Sequence, residues 1–155
     1  MDWFCSESWR KFRFRCLMNI IIDSCFWIAL YNPEKHTHLN KDIEYISDFI
    51  EKENIIIPFP SLYEFLNSKF SRRSDVERFK KLISKPNYIK LDDTLYKFNA
   101  LDNFFENAIY GNNDVSLVDE IIKEIIIDQK IKIDYLISFD TGLNNFAISR
   151  GVKTI

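Results

Sequence analysis

Short β-branched runs alternate along the chain with longer stretches in which apolar residues recur every three to four positions. The first run, Ile20, Ile21 and Ile22, is continuously apolar. That pattern suits a strand buried on both faces of a parallel sheet. A second run, Ile55 to Ile57, lies between Asn54 and Pro58, a third spans Tyr88 to Leu91, and a fourth begins at Tyr135 and is expected to end on Asp140. A short edge strand is expected over 152–155.

Between these runs the spacing predicts helices. Residues 25–31 form an apolar, aromatic segment stopped by Asn32-Pro33, and 38–52 place Leu39, Ile43, Ile46, Phe49 and Ile50 near the 3.6-residue period. Pro60-Ser61 opens another helix through Leu62, Phe65, Leu66 and Phe70, which puts Glu64 in its first turn. An amphipathic helix over 71–85 has a strongly basic polar face. Later helices are marked by Leu95, Phe98, Leu101, Phe104 and Phe105, by the stripe Leu117 to Ile126, and by 143–149, with Gly151 as the last stop. Alternating strands and helices predict a three-layer α/β/α sandwich around a mostly parallel sheet of four to five strands.

Composition narrows the class without fixing the activity. The 155 residues, 46% of them hydrophobic, suffice for one domain with a substantial core, expected over 18–155. Residues 1–17 read as a basic extension in which Arg10, Lys11, Arg13 and Arg15 interleave with Trp9, Phe12 and Phe14. The following apolar run contains Asp23 and no small-residue cleavage site, so a secretory signal is not expected, and no run reaches the length of a membrane helix. Three cysteines with no CxxC spacing indicate neither a disulfide framework nor a zinc site, and a cytoplasmic setting is expected. The net charge of −2 neither predicts nor excludes a nucleic-acid partner.

The candidate chemistry lies in acids at strand ends and helix starts. Asp23 follows the first run at the carboxyl edge, where open α/β sheets bind ligands. Taken singly, Asp23 is a helix N-cap and Glu64 complements a helix dipole. Asp119 adjoins the apolar stripe of its helix, a place acids are not put for solubility, and Asp140 repeats the grammar of apolar run then acid. Four converging carboxylates repel one another unless a cation neutralises them, and such hard oxygen ligands select Mg²⁺ or Mn²⁺. Bound there, the cation is suited to phosphodiester hydrolysis.

Four strings, Asn19-Ile-Ile-Ile-Asp23-Ser24, Pro60-Ser-Leu-Tyr-Glu64, Ser116-Leu-Val-Asp119 and Leu136-Ile-Ser-Phe-Asp140, resemble the four acidic motifs of PIN-domain nucleases over residues 18–155. The resemblance implies a metal-dependent endoribonuclease, often the toxin of a bacterial toxin–antitoxin pair, acting on RNA, with an antitoxin protein and a second copy as partners. It implies Asp23, Glu64, Asp119 and Asp140 as metal-binding catalytic acids, with Ser24 and Ser138 as supporting hydroxyls. Glu120 departs from the small residue many relatives have after the third acid. Asp114 is either the cap of the following helix or an extra ligand. Arg72, Arg73, Lys80 and Lys81 are the candidate substrate-binding cations, against the plain alternative of a solvated helix face. His36 and His38 lie in a polar loop and take no role. The competing function is a PIN-like module that binds RNA or protein without cutting.

Overall fold

The structure, a computed structural model, describes residues 16–68, 73–111 and 116–155. The basic extension up to residue 15, together with Arg72 and Asp114, therefore lies outside the described residues. No helix among those described is long and apolar enough to cross a membrane.

Five strands form one sheet: β1 (Asn19–Ile22), β2 (Asn54–Pro58), β3 (Tyr88–Leu91), β4 (Tyr135–Ile137) and β5 (Lys153–Thr154). Their order across the sheet is β3-β2-β1-β4-β5, and every pairing is parallel. The chain thus builds outward from β1 to β3, then returns to the other side of β1. This reversal puts a topological switch point between β1 and β4, and in such sheets the crevice beyond the strand ends there is the usual ligand site.

Successive side chains of a strand point to opposite faces, so each isoleucine run feeds two cores. Ile20, Ile22, Ile55 and Ile57 pack on one face with α1 (Ser24–Tyr31), α2 (Asn40–Ile50), α3 (Phe59–Asn67) and α4 (Arg73–Ile83). Trp27 lies at the centre of that layer, fully buried against Phe26, Phe65, Phe79 and Tyr88. On the other face, Ile21, Ile56 and Leu136 meet α5 (Lys97–Ile109), α6 (Leu117–Asp128) and α7 (Thr141–Ser149). The expected three-layer α/β/α sandwich is what forms.

Two boundaries differ from the expectation in ways that move site residues. Helix α3 begins at Phe59, because a proline at the second helical position loses no hydrogen bond. Glu64 consequently stands in the second turn. Strand β4 stops at Ile137, not at Asp140. Its neighbours end there, since Ile22 of β1 is opposite Ile137 and β5 reaches only to Thr154 opposite Leu136. Ser138 and Phe139 have no ladder to join, and Asp140 becomes the N-cap of α7. Gly151, at a φ of +80°, takes the left-handed turn that ends α7 and leads into β5.

Candidate metal centre

Asp23 leaves the end of β1 in extended conformation, and its backbone N–H still donates to the Ile137 carbonyl across the switch point, at 3.0 Å. Its Oδ1 accepts from the Ser24 N–H at 2.6 Å as the cap of α1. The capping role foreseen for it is therefore real. It does not exhaust the side chain, because Oδ2 accepts from the Ser138 hydroxyl at 3.1 Å.

Hydroxyls join the remaining acids. Ser24 Oγ donates to Glu64 Oε2 at 2.6 Å and lies 3.4 Å from Asp23 Oδ1, which ties α3 to the start of α1. Ser138 Oγ accepts from the Asp140 N–H at 3.0 Å while donating to Asp23. A continuous hydrogen-bonded path thus runs Glu64, Ser24, Asp23, Ser138, Asp140. Asp140 Oδ1 caps α7 by accepting from the Leu143 N–H at 2.6 Å. Gly142 leaves room for that carboxylate, since a Cβ there would stand 3.2 Å from the same oxygen.

Asp119 approaches from the opposite face of the sheet. Ser116 caps α6, its hydroxyl accepting from the Asp119 N–H at 3.1 Å, and this fixes the turn that carries the carboxylate. Burial, then the charges of Asp23 and Asp140, push the Asp119 carboxyl up to about 6 against the opposing hydrogen bonds of Ser116. Asp119 therefore feels the like charges of Asp23 and Asp140. Asp23 is buried, Asp119 half-buried, and Glu64 and Asp140 exposed, so the cluster grades from floor to mouth.

Among the described residues, no three His, Cys, Asp or Glu side chains stand close enough together to hold a metal ion as they are. The donor chemistry nonetheless suits a hard divalent cation, being carboxylate oxygens, with the charges of Asp23 and Asp140 adding to burial in raising Asp119.

Several contributors were not foreseen. The Cys25 thiol lies 3.7 Å from Ser138 Oγ and accepts from the Phe139 N–H at 3.2 Å. Burial first, then the Asp23 carboxylate, push that thiol up to about 12, so it serves as a neutral packing group. Asn144 donates from Nδ2 to the Ser138 carbonyl at 2.9 Å, and its Oδ1 is buried without a partner. An Asn four residues after Asp140, on the same helical face, was the available signal. Ser116 could have been read as a cap, three residues before Asp119.

Other anticipated residues sit elsewhere. Glu120 is buried and paired with Lys123 at 2.7 Å, a structural role. Lys80 and Lys81 are exposed in the last turn of α4, from which the chain enters β3 at its amino end, opposite the edge bearing Asp23. Arg73 opens α4. No protein-family model matches the chain, and no curated protein does.

Proposed function

We propose that the protein is a metal-dependent endoribonuclease that hydrolyses RNA phosphodiester bonds, acting as the toxin of a toxin–antitoxin or defence module. The observation that carries this reading is the hydrogen-bonded path from Glu64 through Ser24, Asp23 and Ser138 to Asp140, set at the switch point with Asp119 electrostatically coupled to it. Asp23, Glu64, Asp119 and Asp140 would hold Mg²⁺ or Mn²⁺. The bound cation would supply a water of lowered pKa and neutralise charge on the departing oxygen.

The chain's own residues have separate tasks. Asp23, buried and held on both oxygens, is the fixed floor of the site. Ser24 orients the Glu64 carboxylate, and Ser138 holds the Asp140 backbone N–H while the Leu143 N–H holds its carboxylate, so that Glu64 and Asp140 present their exposed faces to an incoming phosphate. Asp119 closes the side supplied by α6. An antitoxin protein and a second copy of the chain belong to the same proposal, supported by the resemblance and by exposed apolar residues such as Phe105 and Ile109 on α5.

The competing reading is a non-catalytic PIN-like module that binds RNA or protein. Its support is the spacing of the acids, none of which form a ready three-ligand group among the described residues. Incubating the purified protein with a mixed pool of structured RNA separates the two. Cutting in Mg²⁺ or Mn²⁺ that stops in EDTA is the expected result; a folded, partner-free protein that cuts in neither metal supports the binding module.

A further inference from the structure

Helix α5 is built inside out. Its large apolar residues Phe98, Leu101, Phe105 and Ile109, three to four apart on one face, are exposed, and Ala100 is the one buried residue of its thirteen. The face turned to the protein carries carboxamides at successive turns. Asn103 Nδ2 donates to Glu124 Oε1 at 3.0 Å and Asn99 Nδ2 to Glu124 Oε2 at 3.3 Å. Asn107 Nδ2 reaches Glu120 Oε1 at 3.5 Å, an oxygen that also accepts from Lys123 at 2.7 Å. α6 is the element against which α5 mainly packs. The anchor lies at the start of the helix: Tyr96 is buried, donates its hydroxyl to Asp128 Oδ2 at 3.0 Å, and shares a core with Ala100. Beyond the far end, Gly111 takes a left-handed φ of +86° and its N–H donates to the Ala108 carbonyl at 3.2 Å, closing the helix. α5 thus hangs from its first turn.

We propose that residues 103–109 undock from α6 and unwind as a unit, far more often than the domain unfolds, and that this opening loosens the turn presenting Asp119. Hydrogen bonds of half-buried amides are exchanged for water at little net loss, whereas apolar burial is what holds most helices in place. The apolar face of α5 is already wet, so opening exposes little new apolar surface. A helix this short does not persist alone in water, so the undocked turns unwind. The opening reaches the acids through α6. Asn107 holds Glu120, the residue after Asp119, and both sit on Ser116: the Asp119 N–H donates to its hydroxyl and the Glu120 N–H to its carbonyl, each at 3.1 Å. The functional consequence rests on the ribonuclease reading above: a docked α5 keeps Asp119 at the cluster and an opened one frees it, so cation binding and docking favour each other.

Hydrogen exchange of the full-length protein in EDTA, read by mass spectrometry, tests this. In wild type, amides of residues 103–109 should exchange at least about a hundredfold faster than those of residues 122–126 in the middle of α6. Dilute urea, about 1 M, should accelerate residues 103–109 far less than residues 122–126, because their opening exposes little surface. Asn103→Ser combined with Asn107→Ser removes two bonds of the seam at nearly unchanged helix propensity. Residues 103–109 should then exchange about tenfold faster, and residues 117–120 should accelerate by the same factor. Protection of residues 103–109 equal to that of residues 122–126, or acceleration confined to α5, overturns the inference. Mn²⁺ added to wild type should slow residues 103–109 and 117–120 together, and Mn²⁺ that binds without slowing either overturns the coupling. If exchange in EDTA behaves as expected while calorimetry detects no Mn²⁺ binding, the opening stands and the cation reading falls.

Discussion

Replacing Asp119 by Asn should make the protein more stable at neutral pH. The fold holds the Asp119 carboxyl at about 6, whereas the unfolded chain releases its proton near the ordinary value of about 3.9. Between these values the folded state binds more protons than the unfolded, so stability falls as pH rises, and above about pH 6 the whole penalty is present. At about 1.4 kcal/mol per pKa unit, the ceiling is about 3 kcal/mol. Asp119 is only half-buried, and solvent screening brings the expected value down to about 1–2 kcal/mol. For a domain of this size that corresponds to about 3–6 °C in melting temperature. The assay is thermal unfolding of both proteins in EDTA at pH 5 and pH 8. Asp119→Asn should melt above wild type at both, by about half as much at pH 5 as at pH 8, while losing RNA cleavage. A variant less stable than wild type at pH 8 would refute the electrostatic reasoning, because the carboxylate would then be contributing stability rather than costing it.

Other expectations follow from single contacts. Asp140→Ala removes the cap of α7 and should cost about 1 kcal/mol in urea unfolding, whereas Asp140→Asn keeps the cap and should cost little, with both losing cleavage. Trp27→Ala empties the centre of one core and should cost about 3–5 kcal/mol, measured the same way. Peptide mapping after iodoacetamide at pH 8 should find Cys16, which is exposed, alkylated long before Cys25, whose thiol is buried and pushed up to about 12. Ser24→Ala breaks the link to Glu64 and should lower cleavage more than it lowers melting temperature, since the exposed Glu64 carboxylate then loses its orientation.

The layered fold was legible because β1 and β2 are continuous isoleucine runs and helices such as α2 and α6 carry a 3.6-residue stripe. β3 begins and ends where its run does, and β2 extends one residue beyond Ile55 to Ile57 at each end. The end of β4 was expected too late, at Asp140, because Phe139 prolongs its apolar pattern, while the strand ends where its pairing partners end. No pattern in one segment reports that limit, which is set by β1 and β5. The same distinction governs the site. Each acid could be named from its local setting, but the hydroxyl bridges of Ser24 and Ser138 join residues 40 and 115 positions apart. Glu120 shows the converse case: its burial would suggest chemistry, and Lys123 one helical turn away explains it. The basic helix is likewise legible as a pattern and silent about direction, which leaves Lys80 and Lys81 at the turn into the amino end of β3.

The central claim is that the four acids act together on one cation, and calorimetric titration of Mn²⁺ into the folded protein tests it most directly. Wild type should bind Mn²⁺, and Asp23→Asn, which changes the buried floor to which Glu64 and Asp140 are both linked through hydroxyls, should lose that binding while remaining folded. Equal binding by the two proteins, or none by wild type, would contradict the account.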